Sequence, residues 1–295
     1  MRSLLEQGLH SRRGVVRKGC ALTLRGPRRL ATWRAKPDSY LERPPILSNS
    51  IPKSGTHLLD QIVAGLPDRS NYGSFLSSMT SSFQMRERTD ASVINYIRST
   101  APGENIRAHV FCRPAYAAEL EKLNFVHYFI YRDPRDVVVS GCHYLREINP
   151  WHRLRPYFKA CRSMEEAILL SIRGLQHTDP KIPLPNVAER FALYEGWISE
   201  PTTCALRFED LRGDQREPTL ERIVRYFTKR CRNPPNVELT MERVRAAIQP
   251  AQSHTFRQGK SGGWVEAFTP ACKDAFKETA GNLLVRLGYE SDNNW

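Results

Sequence analysis

Residues 48–63, SNSIPKSGTHLLDQIV, constrain the fold more than any other part of the chain. The apolar run "RPPILSNS" enters this stretch as a buried strand, and "HLLDQIVAGL" leaves it with apolar residues at helical spacing before a Gly-Leu-Pro stop. A strand that turns through Pro-Lys-Ser-Gly-Thr straight into a helix gathers backbone N–H groups, an ammonium and hydroxyls at the positive end of the helix dipole. Such a point binds an oxyanion. Gly55 allows close approach of the backbone, Lys53 brings a mobile charge, and Ser54 and Thr56 bring donors. Taken alone, the same residues also read as a capped helix beside a solvated lysine. The loop is not the nucleoside-triphosphate motif GxxxxGK[ST], because Pro52 stands directly before the lysine.

The rest of the chain repeats the alternation. "ENIRAHVFC" and "FVHYFIYR" read as buried strands separated by the helical "AAELEKL", and "DPRDVVVSGCHYLREI" as a helix opened by Asp133 and Pro134. "TTCALRFEDL" supplies another strand, "EPTLERIVRYFTKR" a helix, and "CKDAFKETAGNLLVRLGY" one closing amphipathic helix. The serine-rich stretch "SNYGSFLSSMTSSFQMRERTDAS" reads as an exposed connection. The expected fold class is therefore α/β: a single domain over residues 41–295, with a central, mainly parallel sheet flanked by helices and ligands at the carboxyl ends of the strands.

A formal charge of +13 invites a nucleic-acid reading, but residues 1–36 alone carry ten Lys or Arg and one acid, leaving only +4 for the remainder. Residues 1–40 read as a basic segment, disordered or targeting, and nucleic acid is disfavoured as a partner. The expected location is cytoplasmic, with an organelle transit peptide as the alternative for the head. No stretch is apolar for the length a bilayer requires. Seven dispersed cysteines without a CxxC pair argue against a disulfide framework, and neither they nor the histidines show metal-ligand spacing, so no metal is expected.

Two further clusters bear on the site. In "YFIYRDPRDVVVSGCHYL", Arg132 at a strand end and Ser140 two turns into the next helix converge on a second anion, whereas the bland reading is a surface ion pair and a helix serine. "FRQGKSGGW" is a glycine-rich loop with Arg257 and Lys260.

Together and in this order, the three motifs resemble the sulfotransferases that use 3′-phosphoadenosine 5′-phosphosulfate (PAPS), particularly the cytosolic-type branch, over about residues 44–290. In that family a PKSGT loop clamps the 5′-phosphosulfate, an RxPxDxxVS segment clamps the 3′-phosphate, and an RxGxxGxW segment closes over it. The resemblance implies PAPS as co-substrate, held by Lys53, Ser54, Gly55, Thr56, His57, Arg132, Ser140, Phe208, Arg257, Gln258 and Gly259. It also makes His109, in "IRAHVF", the catalytic base and Arg107 the stand-in for the family's lysine, while Lys53 meets the leaving phosphate. A histidine near its ordinary pKa suits that task.

Some positions depart from the family pattern. Leu58 replaces the tryptophan that packs on adenine, Phe208 replaces a tyrosine, Gln258 stands where a lysine is common, and the dimerisation segment is poorly matched, leaving the oligomeric state open. The implied function is sulfuryl transfer from PAPS to a hydroxyl of a small-molecule acceptor. Trp151, Tyr157, Phe158, Phe191, Tyr194 and Trp197 are candidates either for an aromatic acceptor site or for core. The alternatives left open are a nucleotide or small-molecule kinase on a similar scaffold and a catalytically degenerate nucleotide-binding protein.

Overall fold

The computed structural model describes residues 2–9, 11, 13–175, 182, 184–249 and 261–295. Five parallel strands form one sheet: β1 (Ile46–Ser50), β2 (Phe75–Ser77), β3 (Asn105–His109), β4 (Val126–Tyr131) and β5 (Cys204–Arg207), in the spatial order β2-β3-β1-β4-β5. From β1 the chain runs outward to the β2 edge, returns through β3, and then crosses to β4 on the other side of β1. The order therefore reverses about β1, and a crevice opens at its carboxyl end between β3 and β4, where ligands bind in folds of this kind.

Both faces of the sheet are covered, which is why the strands read as apolar runs. Val126, Tyr128 and Ile130 of β4 pack on one side with Leu59, Ile62 and Val63 of the helix Thr56–Ala64 and with Leu220, Ile223 and Val224 of the helix Arg216–Thr228. Phe129 faces the other side, among the helices Pro114–Lys122, Pro134–His143, Val187–Ser199 and Pro270–Ala280.

The end of β1 is different, because Ser48, Asn49 and Ser50 are polar and fully buried. Each is hydrogen-bonded, as burial demands. Ser48 Oγ donates to Asn105 Oδ1 (3.1 Å), and the Asn49 amide spans the backbone N–H and C=O of Val110 (2.9 and 3.1 Å). This network fixes β3 against the loop that follows β1.

Three readings of the sequence need revision. The serine-rich connection contains edge strand β2, which is only three residues long and has a half-exposed Phe75. The closing helix is two, Pro270–Ala280 and Leu283–Arg286, split at Gly281 (φ +54°), a left-handed conformation that side chains resist. Where composition suggested disorder, the head forms helices Arg2–Gly8, Gly14–Thr23 and Arg25–Trp33, followed by Pro37–Glu42. Leu9 and Leu24 are buried against Tyr72 and Ala101, and Arg28 Nε donates to Glu104 Oε1 at 2.7 Å. Among the described residues, no helix is long and apolar enough to cross a membrane.

Candidate functional site

The loop after β1 turns twice through left-handed backbone, at Lys53 (φ +74°) and Gly55 (φ +104°), before the helix Thr56–Ala64 begins. Gly55 has a second constraint: a Cβ there would lie 2.5 Å from the Phe208 ring and 3.1 Å from Ile130. The turn aims the first N–H groups of the helix, which have no intrahelical partner, into the crevice. Ser54 is fully buried, and its Oγ has no hydrogen-bond partner. A buried hydroxyl left so is costly to the free protein and fits a ligand oxygen. Lys53 stands over the Tyr144 ring, with Nζ 4.5 Å from the centroid. Tyr144 opens a π-helical turn, Tyr144–Ile148, that interrupts the end of the helix Pro134–His143, a distortion often found at functional sites. His57 and Leu58 lie half-buried in the first turn after the loop, and Leu58 packs on the apolar cluster beneath.

His109 ends β3 and meets the same loop through Ser50. The Ser50 hydroxyl lies 2.7 Å from Thr56 Oγ1 and 3.1 Å from His109 Nδ1, while the Ser50 carbonyl lies 2.8 Å from that nitrogen. A carbonyl only accepts, so Nδ1 carries the proton and Nε2 the lone pair. Burial pushes the His109 pKa down to about 4, and the positive charges of Arg107 and Lys53 press in the same direction. The sequence-level expectation of an ordinary pKa does not survive this environment. Arg107 lies two residues before His109 in β3 and therefore on the same face of the sheet. Phe75 meets the His109 ring edge-on at 5.4 Å.

The second cluster adjoins the first. The Arg132 guanidinium lies over the Phe208 ring (4.7 Å), the same ring that crowds Gly55, so the end of β4 and the loop share one aromatic wall. Arg132 donates to Asp136 Oδ2 at 2.9 Å. Asp136 also accepts from the backbone N–H groups of Gly262 and Trp264, each at 3.0 Å, and so ties the glycine-rich C-terminal segment to the helix Pro134–His143. Ser140 is one turn beyond Asp136 on the same helix face, and Tyr144 one turn further.

The buried Arg135 anchors the other side of that segment. It sits between the rings of Trp264 (3.7 Å) and Trp295 (4.6 Å) and pairs with Asp133 (2.7 Å) and Glu290 (2.5 Å). Arg257, Gln258 and Gly259 lie outside the described residues. Asp136, the acid of the RxPxDxxVS segment, was given no role by sequence reasoning, and the structure makes it the organiser of this corner.

Of the aromatic acceptor candidates, Phe158, Phe191, Tyr194 and Trp197 are core, and Trp197 donates from Nε1 to Val110 O. Tyr157 packs against the same core, and only Trp151 stands in the open. The seven cysteines are unpaired.

This is an α/β architecture in which two clusters of basic and hydroxyl side chains meet at the reversal of strand order. Residues 43–288 match the family model of the sulfotransferase domain, and the chain belongs to that family. Among solved structures, mouse sulfotransferase SULT7A1 complexed with PAP superposes with a TM-score of 0.56 at 19% identity, covering 82% of this chain and 84% of that one. A retinol dehydratase complexed with retinol and PAP superposes with a TM-score of 0.54 at 14% identity, covering 84% and 83%. These likenesses bear on the fold. A search of curated proteins by sequence found no significant match.

Proposed function

We propose that the protein transfers the sulfuryl group of PAPS to a hydroxyl of a small-molecule acceptor, with His109 as general base. The observation that carries this reading is the Ser50 bridge, which holds the base at hydrogen-bonding distance from the residue that fastens the anion loop to its helix. The unpartnered Ser54 Oγ, the N-terminus of the helix Thr56–Ala64 and Lys53 fit a phosphosulfate, and Arg132 with Ser140 fits a second phosphate close by. The PAP named in the structures similar to this one agrees with that donor set.

PAPS supplies the sulfuryl group. His109 Nε2 takes the acceptor hydroxyl proton as the oxygen–sulfur bond forms, in line with the sulfur–oxygen bond to phosphate that breaks. Lys53 and the loop N–H groups meet the negative charge that develops on the departing phosphate oxygen, and Arg107 adds positive potential beside the reacting atoms. Burial is the chief cause of the depressed His109 pKa, and an anionic donor offsets the smaller part that Arg107 and Lys53 contribute, so donor binding raises its basicity in that measure. With Leu58 in the place of the family's tryptophan, adenine gains no stacking from that position.

Calorimetric titration of adenosine 3′,5′-bisphosphate, adenosine 5′-monophosphate and ATP with magnesium tests the donor site. The bisphosphate should bind selectively, and Lys53→Ala and Arg132→Ala should each weaken it about tenfold or more. A preference for ATP with magnesium would move the protein to the kinases, and no preference would leave a degenerate binder.

A further inference from the structure

A cavity of about 850 Å³ opens beside the site, between residues 83–86 and 150–159. Both walls spring from the catalytic crevice. The first continues from Ser78, whose backbone N–H donates to His109 O at 3.0 Å. The second continues from Tyr144 beneath Lys53. His152, on the cavity wall, meets the Tyr144 ring edge-on at 6.2 Å, and Asn149 Nδ2 donates to the Tyr144 hydroxyl at 2.7 Å. Arg153 closes the two walls on each other, its backbone N–H donating to Ser82 O and its Nη1 to Gln84 O.

The lining combines two chemistries. Phe83 and Trp151, 71% and 78% exposed, share one cavity, and Pro150 and Pro156 extend the apolar surface. Around them stand Arg86, Arg155 and Lys159 together with Arg153, and no acidic side chain is among the described residues lining the cavity. Arg155 is half-buried on the cavity wall, and its Nη1 is shielded from solvent without a hydrogen-bond partner. A donor left so favours an acceptor oxygen brought to the guanidinium.

We propose that the acceptor is an organic anion: a hydroxyl on an apolar body whose far end carries a carboxylate, or a group of like charge, that Arg155 and Lys159 receive. The apolar body lies on Phe83 and Trp151, and the hydroxyl points toward His109. This inference rests on the sulfotransferase reading above. It differs from the neutral alcohol or phenol that aromatic content alone implies, because charge complementarity sets the orientation and excludes uncharged analogues by leaving the guanidinium unpaired.

The test uses matched pairs of probes on the full chain: 6-hydroxy-2-naphthoate against 2-naphthol, and 8-hydroxyoctanoate against octan-1-ol. Their binding is followed by calorimetry with and without adenosine 3′,5′-bisphosphate. The acid of at least one pair should bind about tenfold tighter than its neutral partner, the worth of one charge-assisted contact. In the variant Arg155→Gln with Lys159→Gln that gap should shrink to about twofold, and Arg155→Lys should keep most of it. With PAPS, kcat/KM should follow the same ratios. Equal binding of acid and neutral probes, or a gap that survives the double substitution, would overturn the proposal. So would displacement of bound acid by phosphatidylserine vesicles or duplex DNA at lower phosphate concentration, which would give the groove to a surface. Bisphosphate binding without acid preference removes this inference alone; acid preference without bisphosphate binding removes the sulfotransferase reading.

Discussion

Glu104 and His109 stand at opposite ends of one strand, and their surroundings differ in a way that separates structure from function. Glu104, just before β3, is fully buried and saturated: Arg28 Nε, Ser74 Oγ and the Ala101 N–H all donate to it, at 2.7, 2.5 and 2.8 Å. The N-terminal arm covers this carboxylate through Arg28, whose Nη2 is itself buried without a hydrogen-bond partner. His109, at the other end, has one nitrogen fixed by Ser50 and sits beside cations and a buried Ser54 hydroxyl without a partner. The Glu104 carboxylate is satisfied within the fold, whereas the surroundings of His109 combine cations with an unpartnered hydroxyl at the carboxyl end of the sheet. Both arise from the same parallel strand. The carboxyl end, at the reversal of strand order, is the one left open.

The largest effect is expected at the open end. His109→Ala should lower turnover on the order of 10²–10⁴-fold, with little change in urea stability, because a substitution of a general base removes a transition-state contact. Turnover within a few-fold of the parent protein would remove His109 from the mechanism and make both ends structural. At the closed end the pattern should invert. Arg28→Met leaves the buried Glu104 carboxylate without its cation and should cost about 3 kcal/mol of unfolding free energy, read by urea titration, while the folded fraction retains its turnover. Adding Glu104→Gln to that variant should recover part of the loss, because the two residues act as one unit. Loss of turnover without loss of stability would connect the arm to the active site.

How much of this was legible depends on the range of each contact. Four of the five strands read as apolar runs because both faces of the sheet are covered, the short edge strand β2 being the exception, and the PKSGT loop announces itself because each of its residue types does a local job at one turn. What stayed hidden is held over long separations. Arg28 meets Glu104 across 76 residues, and Asp136 meets Trp264 across 128, so although Asp136 stands within a recognisable motif, no local pattern names either partner. The arm carries few apolar positions, and the burial of Leu9 and Leu24 depends on a surface built by Tyr72 and Ala101. Composition left Phe158, Phe191 and Trp197 open between an acceptor site and core, because aromatic residues at helical spacing serve either, and here they fill the core. The cavity proposed for the acceptor lies between two loops that Arg153 joins by hydrogen bonds to Ser82 O and Gln84 O.

The smallest effect is one proton. Burial holds His109 at about 4 and His127 at about 3, against an ordinary value of 6.5, so the folded protein keeps both neutral at pH values where the unfolded chain protonates them. Between about pH 4 and 6.5 the unfolded state therefore binds more protons. Stability should be fully present above pH 6.5 and should fall as pH drops toward 4. His109→Asn removes one of the two protons, so the slope of unfolding free energy against pH should fall by about 1.4 kcal/mol per pH unit. Saturating adenosine 3′,5′-bisphosphate acts on the same proton from the other side. Its phosphates stabilise the imidazolium at His109 but not the one at His127, which lies against Trp197 and bonds Thr203. The bisphosphate should therefore flatten the slope of the parent protein and leave that of His109→Asn nearly unchanged. Equal flattening in both would mean that the anion sits too far from His109 to serve the proposed base.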